Sequence, residues 1–249
     1  KKPIDNLIVE IPAKDSPGFV LDGEAFVFYS VFQWNKRKGY RKLFRAYFEE
    51  FSAKENVILV IKTSPINHRD HGLSKINSDI LSLKRFAKAK NYPLVFLSTE
   101  RLTDEQIAGI HRMGDCFVLP HHGEGWGMPI HDAMMNESVV ITTQYGGITE
   151  HLNSSNSMLI KSNLTEVSPM NWNPYYQAGQ LWADPDVNHL RVVMREVYEN
   201  LDLKKSLTKR AKRVAESMDI DAFSRNIENI FSQERFKNPK KRYRYGNKA

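Results

Sequence analysis

The chain has 249 residues, 41% of them hydrophobic and 26% charged, which suffices for one large domain or two small ones with a hydrophobic core. No apolar run approaches the roughly 20 residues that span a bilayer, and the first residues contain no long apolar stretch of the secretory kind. The single cysteine, Cys116, excludes an internal disulfide and is typical of a reducing compartment. We therefore expect a cytoplasmic protein, with peripheral contact to a membrane surface as the alternative.

The net charge of +7 is concentrated at the C-terminal end of the sequence. The stretch 236–249 carries six lysine and arginine residues and no acid, so the rest of the chain carries 7 − 6 = +1. Such a tail can bind anionic lipid or nucleic acid, or remain solvated and disordered. We expect the tail to be disordered. We expect no nucleic-acid partner, because the sequence has no binding motif of the RNP or zinc-finger type. The chain then divides into an N-terminal segment (1–23), one domain (24–235) and this tail (236–249).

Short apolar runs alternate with amphipathic helical patterns along the domain. The apolar runs predict strands at 24–32, 56–62, 93–98, 115–120 and 138–143, with a shorter one at 156–160. The helical patterns between them predict helices at 37–53, at 79–90 with Ser78 as its cap, at 103–113 and from Met128 onward. After the sheet, helices are predicted at 187–200, 203–218 and 222–236. The segment 168–186 breaks this rhythm and is predicted to be a long loop.

The predicted strands are apolar along their whole length and are separated by helices. That pattern favours a mostly parallel sheet covered on both faces, because each strand must bury both of its sides. The sequence therefore predicts a doubly wound α/β domain with additional C-terminal helices. Sheets of this kind bind ligands at the carboxyl ends of their strands.

A glycine-rich turn that contains an acid follows the fourth predicted strand. Two of its glycines, Gly125 and Gly127, allow the backbone to approach a ligand closely. The helix that begins at Met128 points free N–H groups and a partial positive charge to the same place, which suits a phosphate. Glu124 in the turn and Asp132 eight residues later can each accept hydrogen bonds from hydroxyl groups. A phosphate site beside two polyol sites describes a sugar nucleotide.

The sequence of this turn resembles a motif of known enzymes. The stretch Glu-Gly-Trp-Gly-Met-Pro-Ile-His-Asp-Ala-Met, residues 124–134, is similar to the acid-x7-acid motif of retaining GT-B glycosyltransferases of the group 1 (family 4) kind. The Gly-Gly turn at 146–147 and the Lys-Gly turn at 38–39 also resemble that family, in the same order along the chain. The likeness extends over roughly 26–231, and it implies the donor-binding, Rossmann-like half of such an enzyme. The acceptor domain of the family is expected to lie outside these residues.

The resemblance implies a role for each matching residue. Glu124 and Lys38 would be catalytic, with Glu124 contacting the donor sugar and Lys38 balancing the charge of the departing diphosphate. Asp132 would hold the ribose, although the family usually has the longer Glu there. Gln33 stands where the family has an arginine, and Gln cannot neutralise a phosphate. The remaining donor-binding positions would be Arg37, Gly125, Trp126, Gly127, Met128, Gly146 and Gly147.

The resemblance implies transfer of a sugar, with retention, from a nucleoside diphosphate sugar to an unidentified glycan, lipid or protein acceptor. No metal and no cofactor is expected, because cationic and backbone groups would stabilise the leaving group. The spacing of His111, Cys116, His121 and His122 fits no usual zinc pattern. Three alternatives remain: a non-catalytic module that binds sugar nucleotide or scaffolds a transferase complex, a sugar-nucleotide epimerase, and a nucleic-acid-associated protein that uses the basic tail.

Overall fold

A computed structural model describes residues 9–10, 25–65, 72–87, 92–167, 175–218 and 220–232. Its main sheet has seven strands in the order β1-β4-β3-β2-β5-β6-β7. The strands from β2 to β7 pair in parallel, and only β1 pairs antiparallel, with β4. The strands are β1 (Val9–Glu10), β2 (Phe26–Trp34), β3 (Val57–Pro65), β4 (Leu94–Ser98), β5 (Cys116–Leu119), β6 (Val139–Thr143) and β7 (Met158–Ile160).

Helices cover both faces of this sheet, as strand β2 shows. Phe28 points to one face, where its ring lies 6.4 Å from that of Tyr47 in α1. Tyr29 points to the other face and bonds through its hydroxyl to His111 of α3, at 3.0 Å. The predicted doubly wound α/β fold is confirmed. The helices are α1 (Tyr40–Glu50), α2 (Gly72–Ala87), α3 (Asp104–Met113), α4 (Met128–Met135), α5 (Val187–Glu199), α6 (Leu201–Glu216) and α7 (Ile220–Ser232).

Helix α2 begins earlier than its sequence predicts. The structure starts it at Gly72, so Ser78 lies inside the helix and is not its cap. The prediction placed the start at 79 because Ser78 and Asp79 are typical of a first turn. Asp79 is instead buried, where it accepts hydrogen bonds from Trp34 Nε1 and Tyr40 Oη. Its acidic side chain therefore serves the packing of α2 against α1 and β2.

The segment predicted as a long loop contains part of a second sheet. Strands β8 (Ser162–Glu166) and β9 (Leu181–Pro185) pair antiparallel, with Asn163 opposite Asp184. The sequence of β8 is polar and mostly exposed, so it lacks the apolar run by which the other strands are predicted. The hairpin reaches the main body through His122, whose backbone carbonyl accepts from the Ala183 amide at 2.9 Å.

Several expectations fall on residues outside the described ranges. They concern the boundaries at 23/24 and 235/236, most of the N-terminal segment and the basic tail. Within the described ranges, every helix is too short or too polar to cross a membrane.

Candidate functional site

The carboxyl ends of strands β2, β5 and β6 meet at one edge of the sheet, and each continues into a turn. After β2, residues Lys36–Lys38 form a short 3-10 helix. Asn35 caps it by accepting the Lys38 backbone N–H, and Gly39 ends it in the left-handed region with φ 70°. After β5, the acid-glycine turn leads into α4. The local sequence thus places Lys38 and Glu124 on neighbouring turns.

Gly39 holds these two turns together. A Cβ atom at this position would lie 1.7 Å from the carbonyl oxygen of Pro120. The His122 amide also donates to the Arg37 carbonyl at 2.7 Å. Only a glycine allows so close an approach at a positive φ. The contact fixes the distance between the Lys-Gly turn and the acid-glycine turn.

Glu124 forms an ion cluster with two basic residues of the neighbouring turn, Arg37 and Lys38. Its Oε2 atom lies 2.5 Å from Lys38 Nζ, and its Oε1 atom lies 3.1 Å from Arg37 Nη1. The side chains of Glu124 and Lys38 are only 9% and 12% exposed. Burial alone would raise the pKa of Glu124, but hydrogen bonds and charge from Lys38 and Arg37 outweigh it and lower the pKa. The carboxylate is therefore ionised and held in place by two cations.

The Gly-Gly turn after β6 packs against the backbone of Glu124 and Gly125. The Gly147 amide donates to the Glu124 carbonyl at 2.9 Å. A Cβ atom on Gly146 would lie 2.3 Å from that carbonyl oxygen, and one on Gly147 would lie 2.8 Å from the Gly125 oxygen. These contacts explain both glycines by the packing of one turn on the other. Their predicted contact with a donor remains a prediction.

The two glycines of the acid-glycine turn differ in their surroundings. Gly127 is the cap of α4 with φ 73°, and a Cβ atom there would meet Ile130 and Ile148 at 3.0–3.1 Å. A Cβ atom on Gly125 would have nothing within 4 Å. Packing therefore accounts for Gly127 but not for Gly125, which has open space on its surface.

Trp126 and Met128 lie on the surface beside this opening, 45% and 64% exposed. The Trp126 ring contacts His151, with 4.9 Å between ring centroids. An exposed tryptophan and methionine at the beginning of α4 form an apolar rim next to the ion cluster. Both side chains are accessible to a ligand.

Asp132 is not part of the ion cluster. Its carboxylate has no hydrogen bond and no ion pair within the described part of the chain. Its charge acts instead on the pKa values of Tyr29 and His111, so it lies toward their buried hydrogen-bond network. No described contact joins Asp132 to Glu124 or Lys38, and its predicted ribose contact remains a prediction.

A cavity of about 380 Å³ opens beside Lys38 and Arg37. This volume lies within the range of small-molecule sites, roughly 300–1,000 Å³. Three of the residues that line it, Gln33, Arg37 and Lys38, are predicted from the sequence as site residues. The lining residues from β3 and α3 are not predicted. The sequence feature that could have indicated them is Lys62, a charged residue at the end of an otherwise apolar predicted strand. The remaining lining residues are Val31, Phe32, Lys62, Thr63, Ser64, Ile107 and Pro129.

His121 and His122 lie beneath the cluster and differ in their contacts. His122 stacks on Trp182 at 4.4 Å and bonds through Nδ1 to the Ala183 carbonyl at 2.6 Å. His121 is fully buried, and neither ring nitrogen has a hydrogen-bond partner among the residues described. Burial lowers the pKa of His121 to about 4, so the ring is neutral at pH 7. No group of three or more candidate metal ligands is found within the described ranges.

Acidification is expected to destabilise the fold through His121. Its pKa is about 4 in the folded chain against an ordinary 6.5, so between these values only the unfolded chain is protonated. The free energy of unfolding keeps its full value above pH 6.5. It decreases by about 3 kcal/mol as the pH falls from 6.5 toward 4, because only the unfolded chain gains the proton. Urea unfolding of the wild type and His121→Leu between pH 7.5 and pH 4.5 tests this. The variant should lose less stability, whereas parallel curves would assign the loss to other groups.

Comparison with known proteins places the chain in a family. A family model described as glycosyl transferases group 1 matches residues 13–167, more than half of the chain. No curated protein matches it.

Solved structures show the same fold at low sequence identity. The C-terminal domain of a glycosyl transferase group 1 family protein, LpcC of Francisella tularensis, has a TM-score of 0.56 at 15% identity and covers 78% of this chain and 85% of its own. Anabaena HepE, in complex with UDP and glucose, gives 0.59 at 15% identity, over 84% of this chain and 48% of its own. Sucrose-phosphate synthase of Thermosynechococcus elongatus has a TM-score of 0.60 at 16% identity and covers 86% of this chain and 46% of its own. The chain thus spans about half the length of the last two proteins. With the family match over most of its doubly wound sheet, the chain belongs to the glycosyl transferases group 1 family.

Proposed function

We propose that this chain forms the donor site of a retaining glycosyltransferase and binds a nucleoside diphosphate sugar in the crevice beside Lys38. One observation carries the proposal: Arg37 and Lys38 bind the Glu124 carboxylate in the turn before α4, and both of these basic residues line the 380 Å³ cavity. Cations and free helix N–H groups suit a diphosphate. The complex of HepE with UDP and glucose, a protein of the same fold, is consistent with this.

The proposed chemistry is displacement at the anomeric carbon from the face that the leaving group occupies. The bond from this carbon to the diphosphate oxygen breaks with its electron pair on the oxygen. The acceptor oxygen forms the new bond on the same face, and its proton passes to the departing diphosphate. Lys38 and Arg37 stabilise the developing negative charge, which is the largest contribution to catalysis in reactions of this kind.

Glu124 has two tasks in this proposal. It fixes the positions of Lys38 and Arg37, and its carboxylate accepts a hydrogen bond from a hydroxyl of the donor sugar. Asp132 would bind the ribose, and the open surface of Gly125 would receive the sugar or phosphate. The exposed Trp126 would cover the sugar from the side. The proposal needs no metal, because the two cations and the start of α4 balance the diphosphate charge.

The acceptor, an unidentified glycan, lipid or protein, is proposed to be bound by a separate domain or chain. The cytoplasmic location expected from the sequence belongs to the same proposal. A non-catalytic module that binds sugar nucleotide is the second candidate, and Gln33 favours it because a neutral side chain stands where the resemblance implies an arginine. Hydrolysis or transfer of the bound donor distinguishes the two, since a module binds the donor without consuming it.

Binding is tested by thermal unfolding with UDP, GDP, ADP, UDP-glucose, GDP-mannose and ADP-glucose. A ligand present at about 100 times its dissociation constant should add roughly 2.7 kcal/mol to the free energy of unfolding. We expect one base to stabilise the chain in both its diphosphate and its sugar form. If none of the six compounds shifts the unfolding temperature, the donor-site proposal is wrong.

Gly125→Ala is expected to leave the fold intact and to weaken donor binding by about tenfold or more. A Cβ atom there meets no protein atom within 4 Å, so the unliganded chain should unfold like the wild type. The added methyl group would occupy the space in which the backbone approaches the ligand. Calorimetric titration with the nucleotide found in the screen measures the loss. Unchanged affinity would show that the open surface of Gly125 does not face the donor.

A further inference from the structure

Lys62 is a buried lysine near the carboxyl end of β3, and it lines the same cavity as Arg37 and Lys38. Its residue exposure is only 8%. Its Nζ atom donates a hydrogen bond to the carbonyl oxygen of Thr63 at 2.9 Å. A carbonyl satisfies one of the three protons of an ammonium group but supplies no opposite charge.

No carboxylate pairs with Lys62 among the residues that the structure describes. Burial lowers the pKa of its ammonium group, and none of the described residues supplies an anion that opposes this shift. Lys38 differs, because Glu124 partly offsets the same effect of burial on its pKa. A buried charge without a counter-ion is unfavourable, and an anion that enters the cavity removes that penalty.

The strand register places Lys62 close to Gln33, the position at which the family resemblance implies an arginine. Val31 of β2 pairs with Lys62, and Gln33 pairs with Ser64 two residues later. Side chains alternate between the two faces of a strand, so Gln33 and Lys62 lie on the same face of adjacent strands. Both also line the cavity. A cation on β3 can therefore serve a ligand that also passes Gln33 on β2.

The charges around the cavity match those of a nucleotide-sugar diphosphate. Among the residues that the structure describes, those with a charge in the cavity lining are Arg37, Lys38 and Lys62, and the Glu124 carboxylate bound to the first two neutralises one charge. Three positive charges less one negative charge leave +2. The two bridging phosphates of a nucleoside diphosphate sugar carry one negative charge each. Without Lys62 the site would neutralise only half of them.

We propose that Lys62 is a diphosphate-binding residue of this site, and that it supplies from β3 the positive charge that Gln33 does not supply from β2. This inference rests on the proposed donor site. The phosphates of the donor would lie in the cavity, and they would neutralise the ammonium group of Lys62.

The test compares Lys62→Met with Lys84→Met by calorimetric titration of the full chain with UDP, GDP and ADP. Methionine keeps most of the apolar stem and removes the charge. Lys84 is a matched control, because it is 7% exposed and its pKa is also lowered by burial, yet it lies on α2 outside the cavity lining. Lys62→Met should weaken diphosphate binding at least tenfold, about 1.4 kcal/mol, and Lys84→Met should not.

Two further measurements separate a phosphate contact from a structural role. Ligand-observed NMR should show unchanged binding of the corresponding nucleoside, and urea unfolding should show that Lys62→Met is at least as stable as the wild type, because a buried charge is gone. The double variant Lys62→Met/Gln33→Arg should recover diphosphate affinity, since arginine returns a cation to the same face.

The outcomes distinguish this inference from the proposal beneath it. If the wild type binds a diphosphate and Lys62→Met binds it equally well, only the role of Lys62 is wrong. Equal losses for nucleoside and diphosphate, or a loss of stability without ligand, would make Lys62 a structural residue and overturn the inference. If the wild type binds no diphosphate, the donor site and the role of Lys62 both fail.

Discussion

Lys38→Met is expected to lower donor turnover, by transfer or by hydrolysis, about 10²–10³-fold. Its ammonium group is 2.5 Å from Glu124 and lines the cavity, where it would meet the charge that develops on the leaving diphosphate. The loss should fall mainly on kcat, because that charge is greatest in the transition state. Steady-state kinetics with the donor found by thermal unfolding measures the change, and affinity for the bare diphosphate should also decrease.

Lys36→Met is the control for this prediction. Lys36 belongs to the same 3-10 turn, but its Nζ atom lies over the Trp182 ring, 5.5 Å from the centroid. Removing it should change turnover by less than about threefold, a small fraction of the effect of a transition-state contact. If the two variants behave alike, Lys38 is an ordinary member of a charged turn. Urea unfolding of both variants shows whether loss of the Glu124 partner has altered the fold.

Gly39→Ala is expected to have the largest effect on stability, a loss of about 3 kcal/mol or more. The position has φ +70°, which disfavours any side chain, and the added Cβ would lie 1.7 Å from the Pro120 carbonyl oxygen. Backbone must move to relieve that contact, because a carbonyl cannot rotate away as a flexible side chain can. The midpoint of urea unfolding measures the change, and the two turns of the site should separate in the surviving folded fraction.

Gly125→Ala is the matched control for Gly39→Ala, since the chemical change is identical. Its Cβ meets nothing within 4 Å, so its stability should remain within about 0.5 kcal/mol of the wild type. The pair thus separates a glycine that the fold requires from one that a ligand would require. Equal stability of the two variants would contradict the packing at Pro120.

The sheet could be predicted from the sequence because its strands are buried on both faces. Runs such as Val57–Ile61 are apolar throughout, and a buried parallel strand produces that pattern. Strand β8 has no such run, because most of its residues are exposed on a two-stranded hairpin. The predicted start of α2 was wrong for a related reason. Asp79 is a residue type that is typical of a first helical turn, but here it bonds to Trp34 and Tyr40, which are distant in sequence.

The candidate site was predictable where local sequence determines it. The acid, the glycines and the Lys-Gly turn are short motifs, and the structure brings Lys38 and Glu124 into contact, although their catalytic roles remain predictions. Lys62 was missed because it stands at the end of the predicted strand, where a lysine is usually solvated, whereas β3 continues to Pro65 and Lys62 is buried. The position of Asp132 likewise depends on how α4 packs against α3 and β6, which a motif does not encode.

The ion cluster around Glu124 has a consequence for how a ligand would be recognised. Arg37 and Lys38 are long side chains, and each would lose rotational freedom if it became ordered only when an anion arrived. Here the carboxylate orders both of them in advance, and Asn35 fixes the backbone that carries Lys38. Affinity in such a preorganised site is diminished little by ordering entropy, so substitutions of Glu124 should also weaken the binding of a bare diphosphate, which lacks the sugar that Glu124 is proposed to contact.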